Sequence, residues 1–235
     1  MKLKLLILVL LMACAAWLFS WCERGWMRTN LVPKPAYVMG KPADEYPNSL
    51  QQIRSQRKQW QAQKTPVAQL SAPFTRLFRD QVLAYWYGTP WDFYGTSEKP
   101  QQGTIACGYF VTTTLRDMGV PLDRSRLAQL PSEAMIDELV QPSQKFNLSR
   151  RGLARLDADL RRLGSGVYVI GLDTHTGFII VDDAGAHFIH ASGAFPYRVV
   201  NEPVLESSVL EHSQYRVVGK ITADVGFMKH WLNAK

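Results

Sequence analysis

The sequence predicts an α+β domain in which helices pack on an antiparallel sheet, behind an N-terminal apolar segment. Three observations carry this. Between Phe74 and Leu163, apolar residues recur at three- and four-residue spacing, the period of helices with one buried face. From Gly166 onward the period becomes strand-like, in runs rich in Val, Ile, Phe and Tyr. These runs follow one another across short turns, and helices first, then adjacent strands, is the α+β order.

The chain of 235 residues is 46% hydrophobic and 11% aromatic, enough for a core of its own. Its formal charge of +7 suits an anionic surface such as cell wall or phospholipid head groups. Nucleic acid is not the expected partner. Zinc-type cysteine pairs are absent, and of the 3 cysteines Cys14 and Cys22 lie in the N-terminal segment, so no disulfide framework can form. No cofactor or metal is expected.

Lys2 and Lys4 precede an almost unbroken apolar run from Leu5 to Trp21. Three fates fit residues 1–22. Leu11-Met12-Ala13-Cys14 resembles the lipobox of bacterial lipoproteins, with Cys14 the lipidated residue. Ala13-Cys14-Ala15 also fits a small-x-small cleavage site. The run continues through Trp17, Leu18 and Phe19, long enough for an uncleaved membrane anchor, the favoured reading. Each fate puts the remainder outside the cytoplasm, in the cell envelope. Residues 23–70 form a linker rich in Pro and Gly followed by a basic surface helix over Asn48 to Lys64, with Leu50, Ile53 and Trp60 as its apolar stripe. Arg54, Arg57, Lys58 and Lys64 would touch an anionic surface or form a solvated face.

The catalytic-type domain spans 71–235. Ser71-Ala72-Pro73 opens a helix, with a serine N-cap and proline in its first turn. Phe74, Leu77, Phe78, Val82, Tyr85 and Trp86 form its buried face. A tight aromatic loop, Tyr87 to Thr96, leads to Gly103-Thr104-Ile105-Ala106-Cys107-Gly108-Tyr109-Phe110. Phe110, Val111, Leu115 and Met118 make a helical stripe that Gly119 and Pro121 stop. Cys107 therefore falls at a helix N-terminus, where free N–H groups and the dipole lower a thiol pKa. Further helices are expected from Ser132 to Val140 and from Leu148 to Leu163. The second buries Leu153, Leu156, Leu160 and Leu163, with Arg150, Arg151, Arg155, Arg161 and Arg162 on a solvated face.

Strands are expected at 167–172, 175–182, 186–192, 196–200 and 215–221, with Asp182-Asp183-Ala184-Gly185 as a hairpin connection. That hairpin carries His175 and His190, and antiparallel pairing can bring the two imidazoles together. A cysteine nucleophile needs a base, and the base needs a partner to fix its tautomer. Cys107, His175 and His190 fill those roles in order. His187 has opposite strand parity to His190 and is expected to face solvent. His212 and His230 have no motif context.

Gly88-Thr89-Pro90-Trp91-Asp92-Phe93-Tyr94-Gly95-Thr96, the Cys107 segment, His175-Thr176-Gly177-Phe178-Ile179-Ile180 and Phe188-Ile189-His190-Ala191-Ser192 together resemble the NlpC family. These are papain-like cysteine peptidases of bacterial cell walls. The resemblance covers roughly 71 to 221. It implies a papain-like fold, a nucleophile Cys107, a base His175, an orienting His190, and hydrolysis of amide bonds in peptidoglycan stem peptides. The family's acidic residue before the cysteine is Ala106 here, its serine after it is Gly108, and its tyrosine after the proline is Trp91. Trp91, Gly108 and Tyr94 are thus the expected substrate-binding positions. The expected partners are peptidoglycan peptide and, through the N-terminal segment, the membrane. Two other functions fit the same residues: a papain-like amidase or lipid acyl hydrolase or transferase, and a catalytically silent module that binds wall or a partner protein.

Overall fold

The computed structural model describes residues 38–234; the expected N-terminal anchor and Cys14 lie outside them. Among the described residues no helix is long and apolar enough to cross a membrane. The first long helix, α1 (Tyr46–Ala62), docks through Tyr46, Ser49, Ile53 and Arg57, all buried at helical spacing. Arg57 is therefore not a surface cation. Its Nη1 donates to the Gly119 carbonyl at 2.6 Å and to that of Trp231 at 3.4 Å. Arg54, Lys58 and Lys64 stay exposed.

The predicted helix from Ser71 is interrupted. After α2 (Ser71–Leu77) the chain widens into a π-helical turn, Phe78–Leu83, and closes with an α-turn, Ala84–Trp86. Phe74, Phe78, Val82 and Trp86 are four residues apart and fully buried. A 3.6-residue turn would rotate that spacing off the core, and a wider turn keeps it in line. Leu70, not Ser71, stands at the N-cap. Ser71 lies inside the first turn, and its carbonyl accepts from Thr75 Oγ1 at 2.8 Å.

Three helices follow: α3 (Cys107–Asp117), α4 (Arg124–Ala128) and α5 (Ser132–Leu139). Beyond a short strand β1 (Lys145–Asn147), α6 (Leu153–Leu163) ends at Gly164, whose φ of 89° suits glycine. The sheet then forms from β2 (Gly166–Leu172), β3 (Thr176–Asp182), β4 (Gly185–Ala191), β5 (Val199–Pro203) and, after α7 (Ser208–His212), β6 (Arg216–Lys220). Its order is β1-β6-β2-β3-β4-β5, every pair antiparallel. Asp182 faces Gly185 across the hairpin. The last helix, α8 (Val225–Asn233), puts Trp231 edge-on to Phe74 at 4.8 Å.

Alternation along the strands divides the core into two layers. Val167, Val169, Phe178, Ile180 and Ile189 pack with Phe110 and Trp231 on one side. Tyr168, Ile170, Ile179, Val181 and Phe188 pack with Leu156 and Leu160 of α6 on the other. The arginines of this region are not simply solvated. Arg151, Arg155 and Arg162 converge on Asp159, only 2% exposed, and Arg161 pairs with Asp157 at 2.7 Å.

Candidate active site

The loop before α3 folds back on itself. Ile105 N–H donates to Pro90 at 3.0 Å and Ala106 N–H to Gly95 at 2.8 Å. Ala106 is thereby held extended as the N-cap, and Cys107 becomes the first residue of α3. The backbone N–H groups of Thr176, Gly108 and Cys107 itself lie close enough to the thiol to favour its charged form. Gly108 leaves room for α4: a Cβ there would stand 2.3 Å from the Ala128 carbonyl. The serine of the family pattern does not fit, so Gly108 is set by packing.

His175 sits just ahead of β3, its carbonyl accepting from Leu172 N–H at 2.8 Å. Its Nε2 lies 2.8 Å from Nδ1 of His190, with the two rings nearly perpendicular at 82°. Gly177 permits this approach, because a Cβ at that position would meet the His190 Cβ at 2.7 Å. Fully buried His190 also stacks on Phe188, ring centroids 3.9 Å apart. Its Nε2 is 3.2 Å from Glu202 Oε1, and Ser207 Oγ donates to the same oxygen at 2.5 Å. Glu202 and Ser207 are absent from the sequence reading. His187 is half-buried, with Nδ1 3.1 Å from Asn201 Oδ1, rather than facing solvent. His212 and His230 are exposed.

The expected low pKa of Cys107 is overturned. Burial raises the thiol above the ordinary cysteine range and outweighs the three N–H groups that pull the other way. Burial, with a smaller push from His190, takes His175 down to about 3. His190 is lowered too, mainly by burial, with Glu202 opposing. Around neutrality Cys107 is therefore a neutral thiol and His175 a neutral imidazole.

Cys107 and His175 open onto a cleft of about 830 Å³ whose walls include Trp91, Tyr109, Ala128, Gln129, Thr174 and Ala194. Among the described residues lining it there is no Asp, Glu, Lys or Arg. Trp91 packs against Gly193, where a Cβ would be 2.9 Å from the indole. Tyr94, 85% exposed, stands at the rim edge-on to Phe93. A second hollow on the far side of Cys107 and His175 is lined by Leu130, Pro131, Glu133, Asp173 and Tyr215. No protein-family model matches this chain. No curated protein matches it either. Among the described residues, no group of three or more His, Cys, Asp or Glu side chains is arranged to hold a metal ion.

The closeness of Gly177 to His190 gives a sharp expectation. Gly177→Ala must push the two strands or the His190 ring aside, costing about 1–3 kcal/mol of stability and lengthening the 2.8 Å contact between the imidazoles. Chemical denaturation and histidine NMR would register both effects. A variant with wild-type stability and unchanged ring resonances would show that the space above Gly177 is not needed.

Proposed function

We propose that this protein is a cysteine hydrolase of papain-like architecture, anchored in the cell envelope, that cleaves amide bonds in peptidoglycan stem peptides. The observation supporting it is that the expected nucleophile and base, Cys107 and His175, line the same cleft. Behind them buried His190 holds His175 at 2.8 Å.

In this reading His175 takes the thiol proton as the sulfur attacks the amide carbonyl. The N–H of Cys107, at the start of α3, steadies the oxyanion. The imidazolium then protonates the departing amine and the C–N bond breaks. Water attacks the thioester, giving its proton to His175, and the carboxylic acid leaves with the thiol restored.

The uncharged wall of the larger cleft favours a substrate portion that is neutral there, while Glu133 and Asp173 line the second hollow at Cys107 and His175. That wall, with Phe93, Tyr94, Phe195 and Tyr197 all more than half exposed, also favours a second reading, a lipid acyl hydrolase or transferase. A panel of muropeptides and phospholipids separates the two by whether amine or fatty acid is released.

The shared chemistry can be tested before any substrate is known. Alkylation of Cys107 by iodoacetamide, followed from pH 5 to 10, is expected to fall about a hundredfold near pH 7 in His175→Ala. Because burial raises the thiol, the unassisted rate in that variant should climb only above the free-thiol value of about 8.5. A rate indifferent to His175 would leave a binding module in place of an enzyme.

A further inference from the structure

Beyond the three residues above, two buried or half-buried polar side chains extend the line. Glu202 lies on β5, which pairs with β4 so that Phe188 faces Glu202 and His190 faces Val200. Glu202 thus shares the His190 face of the sheet, one diagonal away. Pro203 ends the strand, and the turn Val204–Glu206 brings Ser207 back against it. Ser207 caps α7, its Oγ accepting the Leu210 N–H at 3.2 Å. That leaves the hydroxyl proton for Glu202 Oε1, 2.5 Å away.

We infer that Glu202 is a positioning residue whose carboxylate, held by Ser207, sets the direction of every proton between itself and Cys107. A carboxylate can only accept, so Nε2 of His190 must be the donor. A neutral imidazole with its proton on Nε2 has its lone pair on Nδ1. The 2.8 Å contact then requires His175 to donate from Nε2. The one remaining nitrogen of His175, Nδ1, is left unprotonated, and under the proposed function it is the nitrogen that takes the thiol proton. Reversing one bond reverses them all, and His175 would then meet the thiol with a proton of its own. The inference rests on the proposed function for its consequence, but the tautomers can be read without it.

The test is made on the full chain with 15N-labelled histidine. In the wild type at pH 7, long-range 1H–15N spectra are expected to show His190 and His175 both protonated on Nε2. A proton on Nδ1 of His190 overturns the inference with no mutant needed. In Glu202→Leu, His190 is expected to redistribute between tautomers, and Cys107 alkylation by iodoacetamide to fall about a hundredfold. Backbone spectra establish that the variant is folded, and if it is not, the wild-type tautomers alone decide. Unchanged tautomers and rate in a folded Glu202→Leu would make Glu202 merely structural. An alkylation rate insensitive to His175→Ala would instead remove the proposed function, while the tautomer result stands by itself.

Discussion

Cys107→Ala is expected to abolish turnover, with a loss of about 10⁴-fold or more, while the fold is kept. In the proposed mechanism the size follows from covalent catalysis: without the sulfur no acyl-enzyme would form, and the water that would replace it would have no activated partner. The structural cost is small because the thiol is half-buried and the groups near it are backbone N–H groups, which the cleft can hydrate. Among the described residues Cys107 is the only cysteine, so no neighbouring thiol can take over. Product release from muropeptides or phospholipids, followed beside thermal unfolding, checks both parts. A variant that still turns over at the wild-type rate would remove Cys107 from the chemistry. A variant that fails to fold would show that α3 depends on the thiol.

The sheet was legible where period and turn agreed. Gly166 to Ala191 carries short apolar runs buried on both faces, the turn at Asp183-Ala184 is short, and the strands lie within a residue of expectation. Parity alone separated His190 from His187, and the two rings do face opposite layers. What failed were signals set by distant residues. Pro196 and Tyr197 turn the chain, with Tyr197 N–H donating to Ala194 at 2.7 Å. β5 therefore starts at Val199, not at 196, and the shift carries Glu202 into the sheet beside Phe188. A strand ending at Val200 hides that carboxylate. Arg57 reads as one of several surface cations until Gly119 and Trp231, far along the chain, turn their carbonyls toward it. The helix-start position of Cys107 is local and was legible. Its burial comes from walls assembled by Trp91, Ala128 and His175, and burial decides the sign of the shift.

The same burial makes the fold acid-sensitive through its histidines. An unfolded histidine titrates near 6.5, whereas His175 in the fold is held at about 3 and His190 is lowered as well. Below pH 6.5 the unfolded chain therefore binds protons that the folded chain refuses, and stability falls as pH drops. Above 6.5 both states are neutral and the histidines contribute no pH dependence. Down to pH 5 a single fully shielded histidine would cost roughly 2 kcal/mol at 1.36 kcal/mol per unit. Two histidines that share a hydrogen bond do not simply add, so the expected loss between pH 7 and pH 5 is about 2–4 kcal/mol for the pair. Ordinary carboxylates titrate lower, near 4; Asp117, raised by burial, would gain stability as pH falls, so a mutant control is needed to assign the loss to the imidazoles. Urea denaturation at the two pH values measures the loss, and His175→Ala should remove about half of it. A stability flat from pH 7 to pH 5 would mean that the folded chain accepts the protons after all. The histidines would then titrate in the fold as they do in the unfolded chain, and burial would not be what keeps His175 neutral.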